Sequence, residues 1–482
     1  MTSDGPLTTS EEVDRLTPAQ VADLYQRFVN PGIRTFLRVL GLDQIRVVRA
    51  QGMHLDTADG RRILDFSGGL NVLNLGHNHP RIMAARRRYN EELRLELWKT
   101  FISPHQAVLA RNLATLFPGR LRYSFFCNSG AEANEGALKI ALLYQGAGKT
   151  KMRTKILHTD LGYHGKTLGT LAVSGSKSGC YRELFPVSDC GIEVPFGNID
   201  SVRAAIVQRR GPEGHDIAAM IIEAIKGDLV LTPPDGYLDE LGELCRREGI
   251  VLIVDEVFTG FGRTGRMFGF QHSGLIPDIV TFSKTLGGGK ASIAGYIVRE
   301  DIFEKTYGSL RGCTIHTSTY GGMGEECATA VEALNILADE GLVERSRRLG
   351  ERLGERMRAL HVRYPKVIRQ VRNVGLMGIL ELRPSAELFG TRLLSAVPHA
   401  DQFLLGLGPA VIVSELFKRH DILIYTGGRE DNLFVNPALI VTAEEIDRFC
   451  DALDAVLGRN LYDLALRLLK NIVAGPSAPP SS

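Results

Sequence analysis

The sequence predicts an α/β fold, with one large domain whose mostly parallel sheet is flanked by helices and a smaller α+β domain. From about Arg122 onward, short apolar runs alternate with longer stretches of helical periodicity, which is typical of a parallel sheet covered by helices. After Gly321 the pattern changes to long helical stretches with a few short strands. At 482 residues the chain also exceeds one average domain.

The N-terminal region carries two helix-start signals and one hairpin signal. Thr17-Pro18 predicts an N-cap followed by proline in the first turn, with helical spacing through Phe28. Alternation across Val47–Phe66, with a turn at Asp59-Gly60, predicts an antiparallel hairpin. Ser103-Pro104 begins a further helix.

The central region is expected to supply the sheet. Its predicted strands are Tyr123–Cys127, Ile156–Thr159, Met220–Ile225, Ile250–Val257 and Ile279–Ser283, and its predicted helices include Ala131–Leu143 and Tyr237–Arg247. Beyond it we expect one long helical region at Glu325–Leu360, strands in Val367–Leu382, a helix at Val411–Arg419, strands at Leu423–Thr426 and Leu433–Val435, and a helical stretch at Ala443–Val473.

These patterns divide the chain into four parts. Residues 1–75 are expected to contribute to the small domain, 76–345 to form the large domain, 346–470 to form the C-terminal small domain, and 471–482, rich in Pro and Ser, to be a disordered tail.

Composition narrows the range of partners. The net charge is only +2, so neither nucleic acid nor a membrane surface is expected as a main partner. Seven cysteines without C-x-x-C spacing predict reduced thiols. With no signal peptide and no long uncharged apolar run, the sequence favours a cytoplasmic protein.

Candidate binding residues follow the predicted strands, where ligands bind in parallel-sheet folds. Ser129-Gly130-Ala131 opens a helix after the first central strand, so its N–H groups are suited to an anion, although a plain tight turn has the same pattern. Tyr163 and His164 follow the second strand. The tyrosine ring is suited to stacking on a planar ligand, or to an ordinary place in the core.

Two charged residues at strand ends carry the chemical prediction. Asp255 comes directly after four apolar residues, and a buried carboxylate there requires a cation or the role of a turn cap. Lys284 ends another strand and precedes three glycines. Burial would lower its pKa and make the amine a nucleophile toward a carbonyl, whereas a solvated lysine is the alternative.

Taken together, these segments resemble the class III pyridoxal-phosphate aminotransferases, a family that includes ornithine, acetylornithine, putrescine and ω-amino acid aminotransferases. The resemblance covers about Val47 to Arg459. It is carried by Asp65–Pro80 (DFSGGLNVLNLGHNHP), Asn128–Glu135 (NSGAEANE), Tyr163–Thr167 (YHGKT), Asp255–Gly265 (DEVFTGFGRTG) and Phe282–Gly289 (FSKTLGGG). Asn30–Gly32 (NPG) and His316–Gly322 (HTSTYGG) look most like the putrescine-type branch.

The resemblance implies a fold-type-I architecture, pyridoxal 5′-phosphate as cofactor, no metal, and a homodimer with shared active sites. It implies that Lys284 holds the cofactor as a Schiff base and moves the substrate proton, and that Asp255 pairs with the ring nitrogen. The other cofactor-site residues it implies are Ser129, Gly130 and Ala131 for the phosphate, Tyr163 and Val257 on the two ring faces, His164, Glu223 and Phe258 nearby, and Thr319 reaching the phosphate of the neighbouring subunit.

The departures from the family pattern concern the substrate. Phe258 stands where many members carry Gln, and Lys226 ends the segment Glu223-Ala-Ile-Lys where E-P-[IV]-Q is usual. Phe434 replaces the arginine that grips a substrate carboxylate. Either the second substrate has no carboxylate at its reacting end, which we favour, or Arg429 supplies the charge from another direction.

We therefore predict an aminotransferase that moves an amino group from a small-molecule donor, for example an amino acid, to a carbonyl acceptor. An apolar aldehyde of natural-product or polyamine metabolism would suit Phe258 and Phe434. The alternative is an isomerase on the same fold, an aminomutase or racemase, which needs no second substrate. A non-catalytic regulator is disfavoured because both Lys284 and Asp255 are present.

Overall fold

The computed structural model describes residues 7–146, 152–390, 406–426 and 431–473. Arg429 and residues 474–482 of the predicted tail lie outside this range. The described strands are β1 (Val47–Gln51), β2 (His54–Thr57), β3 (Arg62–Asp65), β4 (Leu121–Cys127), β5 (Lys155–Thr159), β6 (Gly191–Val194), β7 (Arg210–Gly211), β8 (Gly214–His215), β9 (Ile217–Ile222), β10 (Val251–Asp255), β11 (Ile279–Phe282), β12 (Ala294–Arg299), β13 (Ile368–Val374), β14 (Met377–Leu382), β15 (Ile422–Leu423), β16 (Tyr425–Thr426) and β17 (Asn432–Val435).

Helices cover the sheets and link them. They are α1 (Ser10–Val13), α2 (Pro18–Phe28), α3 (Pro31–Leu40), α4 (Pro80–Glu91), α5 (Pro104–Leu116), α6 (Gly130–Gly146), α7 (Leu168–Ala172), α8 (Ile199–Gln208), α9 (Tyr237–Glu248), α10 (Glu300–Thr306), α11 (Gly324–Asp339), α12 (Leu342–Arg363), α13 (Ser385–Phe389), α14 (Leu407–His420), α15 (Ala443–Leu457) and α16 (Leu461–Val473). The predicted N-caps are confirmed, because Thr17 and Ser103 accept hydrogen bonds from the first-turn N–H groups of α2 and α5.

The largest sheet has the strand order β4-β12-β11-β10-β9-β5-β6. Strands β11, β10, β9, β5 and β6 are parallel, and β12 runs antiparallel to both of its neighbours, so β4 points the same way as β11. All five predicted central strands are therefore confirmed. The strands β9, β10 and β11 are mostly apolar and buried throughout, as expected for a sheet covered on both faces.

In three predicted regions the structure has more separate elements than the sequence pattern indicates. The region Val47–Phe66 forms three strands, because β1, β2 and β3 pair as an antiparallel meander. The helical region predicted over Glu325–Leu360 consists of two helices, α11 and α12, which are separated at Gly341, where φ is 58°. The C-terminal helical stretch likewise divides into α15 and α16.

The N-terminal and C-terminal regions share one sheet. β3 pairs in parallel with β15, giving the order β1-β2-β3-β15, and a further sheet has the order β13-β14-β17-β16. The domain boundaries stay a prediction. The one at 345/346 falls inside α12, and residues 471–473 of the predicted tail continue α16.

The seven cysteines form no disulfide. Within the four described stretches, no helix combines the length and the apolar character needed to cross a bilayer.

Candidate active site

The site is built at one edge of the large sheet. β4, β5, β9, β10 and β11 point the same way, so the residues that follow them meet at their carboxyl ends. These followers are the Ser129 turn, the Tyr163 loop, Glu223, Asp255 and Lys284. The structure therefore brings the sequence-predicted candidates to one place.

Asp255 is a buried carboxylate with fixed partners. Its side chain lies 2.8 Å from Nδ1 of His164, accepts a hydrogen bond of 2.8 Å from Nδ2 of Asn134, and accepts one of 3.0 Å from the N–H of Val257. Burial alone would raise the pKa of Asp255, but His164, Val257 and Asn134 together hold it below its ordinary value. Asp255 does cap the next turn, yet its other oxygen faces two further groups, so capping is only part of its role.

Asn134 was not identified from the sequence. Its Nδ2 donates to the carbonyl oxygen of His164 at 2.8 Å as well as to Asp255, and its Oδ1 accepts from the Thr281 hydroxyl at 2.7 Å. It lies four positions after Gly130, which places both on one face of α6. That spacing is the signal from which the sequence could have identified Asn134. Because its Oδ1 accepts from Thr281, its Nδ2 is the end of the amide that faces Asp255 and donates to it.

Lys284 lies two residues after the end of β11, in a strained conformation. Its φ is 46°, in the left-handed region that a residue with a β-carbon rarely adopts. The side chain is half-buried and its Nζ lies 4.1 Å from the centroid of the Phe258 ring. Burial lowers the pKa of Lys284 to about 8, against the opposing effect of Asp255. An amine with this pKa is mainly charged at pH 7 and about half neutral near pH 8.

The predicted anion site is the N-terminus of α6. The Glu132 carboxylate accepts the N–H groups of Asn128 at 2.7 Å and Ser129 at 2.9 Å, so those two are already satisfied. The N–H groups of Gly130 and Ala131, in the first helical turn, have no partner within the helix. A β-carbon at Gly130 would lie 2.9 Å from both methyl carbons of Val257, so only glycine fits at this position.

Tyr163 is 40% exposed, which rules out the alternative of a core tyrosine. Its N–H donates to Glu223 at 3.0 Å, and Glu223 also accepts from Nζ of Lys226 at 2.8 Å. Glu223 is therefore linked to the loop that carries the aromatic ring. In the sequence Lys226 is only a departure from the family pattern, and no role is predicted for it.

An apolar wall stands beside Lys284. The rings of Phe258 and Phe434 are 5.7 Å apart, and Phe434 is only 2% exposed. Ile225, Val230, Met377 and Ile379 complete this cluster. Position 434, which lacks the arginine of the family pattern, therefore belongs to a closely packed hydrophobic cluster.

Thr319 is exposed in the single chain, in contrast to the buried site residues. Its neighbour Ser318 is anchored, since its carbonyl oxygen accepts from Lys99 at 2.6 Å and its hydroxyl from Asn128 at 3.4 Å. The described contacts of one chain do not join Thr319 to Lys284 or Asp255.

A match to the class-III aminotransferase family covers residues 41–457. This chain belongs to that family. The class III aminotransferases are pyridoxal-phosphate-dependent enzymes of fold type I, so the predicted family, fold class, cofactor and enzyme type are confirmed.

Solved structures of related enzymes agree with this assignment. This aminotransferase is similar to an ornithine aminotransferase from Toxoplasma gondii, with 27% identity, a TM-score of 0.78 and coverage of 94% of this chain and 98% of that one. It is also similar to an (S)-enantioselective omega-transaminase from Thermomicrobium roseum, with 29% identity, a TM-score of 0.71 and coverage of 95% and 96%. A transaminase from the marine bacterium Virgibacillus gives 25% identity, a TM-score of 0.73 and coverage of 88% and 94%.

The residues of this aminotransferase fit pyridoxal phosphate. Position 130 has no space for a side chain, so the backbone at the helix N-terminus stays uncovered and its N–H groups can receive a phosphate. Asp255 is buried with a lowered pKa, as the counter-ion of a protonated ring nitrogen should be. Lys284 offers an amine that is partly neutral near pH 8.

Proposed function

We propose that this class III aminotransferase transfers an amino group to or from a substrate whose reacting end carries no carboxylate, such as an aldehyde or a primary amine. The supporting observation is the Phe258–Phe434 wall beside Lys284. An ionised carboxylate against that wall would lose its hydration without gaining a partner, whereas an apolar chain gains from the contact. The other substrate, the usual amino donor, is an amino acid in this proposal.

The bound cofactor supplies an aldehyde carbon and an electron-withdrawing ring. Lys284 would provide the amine that holds the cofactor, and its Nζ, once the substrate amine has replaced it, would take a proton from the substrate carbon and return it. Asp255, oriented by Asn134 and His164, would supply the negative charge that pairs with the ring nitrogen. The N–H groups of Gly130 and Ala131 would bind the phosphate, and the N–H of Ser129 supports that turn by donating to Glu132.

Tyr163 and Val257 are proposed to pack on the two faces of the ring, which excludes water from the proton transfer. Val257 is supported by its contact with Gly130, and Tyr163 by the anchoring of its N–H on Glu223. Within the apolar wall, Phe258 contacts Phe434 and is the ring that lies beside the lysine amine. A transferase of this kind releases a keto product from the amino donor, whereas an isomerase releases none, so measuring keto product per amine formed separates the two.

Replacing Phe434 by Arg tests the substrate assignment. We expect the ratio of kcat/KM for an α-amino acid to that for an arylalkyl amine to rise about tenfold to a hundredfold, because a guanidinium–carboxylate pair contributes 1.5–3 kcal/mol. The arginine would be largely buried, so a lower Tm is also expected.

Phe434→Leu is the matched control, since it changes volume and keeps the wall apolar. The ratio of specificities should stay within about threefold of wild type, a difference below 1 kcal/mol. A folded Phe434→Arg variant that shows no gain with any carboxylate substrate would contradict the proposed pocket.

We further propose a homodimer in which Thr319 completes the site of the partner subunit. The support is that Thr319 is exposed while Ser318 is anchored beside Asn128, at the start of the phosphate turn. Large apolar side chains are exposed in the same region, including Phe101 at 67% and Tyr320 at 63%. The unpaired thiols support a cytoplasmic location.

Mixing two inactive variants tests shared sites. Lys284→Ala removes the amine, and Thr319→Glu places a negative charge where a phosphate would bind. If the sites are shared, a heterodimer of the two variants carries one site with both defects and one intact site, so up to half of the wild-type activity per heterodimer returns. If each site is built from one chain, the mixture stays as inactive as the separate variants.

A further inference from the structure

Lys226 is a lysine with almost no access to solvent. It is 1% exposed, and its Nζ lies 2.8 Å from Oε2 of Glu223 and 2.6 Å from Oδ1 of Asp228. Buried lysines are rare unless they are paired. Here two carboxylates hold one ammonium, and they raise the pKa of Lys226 although burial alone would lower it.

Glu223 connects this ammonium to the cofactor side of the site. Its Oε2 accepts from both Lys226 and the N–H of Tyr163, and its Oε1 accepts from the N–H of Gly227 at 3.2 Å. Nζ of Lys226 is also 5.9 Å from the centroid of the Tyr163 ring, within the range of a cation–π contact. Lys226 therefore reaches the Tyr163 loop by two routes.

The same segment packs against the neighbourhood of Lys284. Gly227 follows Lys226 directly, and a β-carbon there would overlap the ring of Phe258. That ring lies 4.1 Å from Nζ of Lys284. Besides burial, which is the main cause, the positive charge of Lys226 contributes to the lowered pKa of Lys284.

We infer that Lys226 is a positioning residue: its ammonium holds Glu223, and through Glu223 the backbone of Tyr163, in place against the cofactor site. Lys226 and the N–H groups of Tyr163 and Gly227 together donate to both oxygens of Glu223, so the protein itself fixes the orientation of this carboxylate. The inference rests on the proposed roles of Tyr163 and Lys284 in the same site.

The test compares Lys226→Gln, which removes the charge, with Lys226→Arg, which keeps it. Two measurements are made on the apoenzyme: the Kd of pyridoxal phosphate, and the pH dependence of Lys284 acetylation followed by mass spectrometry. For Lys226→Gln we expect Kd to rise about tenfold, because a charged hydrogen bond that orients the loop is lost. The pKa of Lys284 should rise, since a nearby positive charge is removed and two carboxylates lose their counter-ion.

Lys305→Gln is the matched control. Lys305 is an exposed lysine whose Nζ lies 5.2 Å from the centroid of the Tyr144 ring, so it repeats the lysine–tyrosine contact outside the site. It should change neither measurement, and Lys226→Arg should restore the Lys284 pKa. A role in folding alone would lower Tm without moving that pKa. An unchanged Kd and an unchanged Lys284 pKa in folded Lys226→Gln would overturn the inference.

A double variant keeps the test decisive if Lys226→Gln does not fold. In the single variant Lys226→Gln, the buried Glu223 carboxylate loses its counter-ion. Adding Glu223→Gln removes that unpaired charge, so the double variant should be more stable than the single one. If Lys226 acts through Glu223, the double variant should bind pyridoxal phosphate no more weakly than Glu223→Gln alone, and a further, additive loss would overturn the inference. Apoenzyme labelling does not depend on turnover, so failure of the proposed substrate class would leave this result intact.

Discussion

Lys284→Ala should abolish turnover and remove the visible absorbance that arises when the cofactor is attached to the enzyme's amine. The loss should be at least about 10³-fold in kcat, because the variant lacks both the attached nucleophile and the group that moves the proton. Absorption spectra of the purified variant with added pyridoxal phosphate, and single-turnover assays with an amino donor, check the two effects separately.

The same variant should gain stability as an apoenzyme. The folded pKa of Lys284 is about 8, below its ordinary value of 10.5, so the folded protein binds the proton more weakly than the unfolded chain. The charged amine therefore destabilises the fold below pH 8, and this penalty disappears as the pH rises from 8 to 10.5. At pH 7 we expect Lys284→Ala to raise the free energy of unfolding by about 1–3 kcal/mol, with a smaller gain at pH 10.

Lys290→Ala is the control, because Lys290 is exposed and only six residues further along the chain. It should keep the absorbance, the turnover and the stability of the wild type. If Lys284→Ala retained both absorbance and turnover, or if Lys290→Ala lost them, the assignment of the reactive amine to Lys284 would be wrong.

The sheet edge could be predicted because its strands are continuous apolar runs. Strand β10 ends in Asp255, and Lys284 lies two residues after the end of β11, so these two charged side chains could be identified without three-dimensional information. β12 was not predicted, although its sequence is apolar. Gly295 interrupts the run, and it is required there because a β-carbon would overlap the carbonyl oxygen of Phe125 on the adjoining strand.

The supporting residues were harder to predict, since their partners lie far away in the chain. Asn134 bonds Asp255 and Thr281, which are more than a hundred residues further on, and its role depends on how α6 is rotated against the sheet. Lys226 has local partners, but only the burial of Glu223 and of Lys226 itself makes its charge significant. A single sequence specifies neither the rotation of a helix nor the burial of a loop.

Asp255→Asn should reduce kcat about 10²-fold to 10³-fold, the usual cost of removing one buried group that stabilises developing charge. The amide has nearly the same shape as the carboxylate but no charge, so it can no longer hold a proton on the cofactor's ring nitrogen. The spectrum of the bound cofactor and its dependence on pH should change with the rate, while the affinity for the phosphate group should change much less.

The hydrogen-bond network predicts a second effect of this substitution. Nδ2 of Asn134 donates to Asp255, and the amide is held in that orientation because Oδ1 accepts from Thr281 and Nδ2 also donates to the carbonyl of His164. An amide NH₂ at position 255 would meet one of these donors or lose the N–H of Val257. We therefore expect the free energy of unfolding to fall by about 1–3 kcal/mol.

Glu256→Gln is the control for Asp255→Asn. It shows whether the effect comes from the charge of Asp255 or would follow from neutralising any buried carboxylate nearby. Glu256 is fully buried beside Asp255, but it accepts from the Thr259 hydroxyl at 2.6 Å and from the N–H groups of Gly269 and Phe270 at 2.8 Å each. Its replacement should lower Tm and leave the cofactor spectrum unchanged. Equal spectral changes in both variants would mean that the fold, and not the charge of Asp255, controls the ring nitrogen.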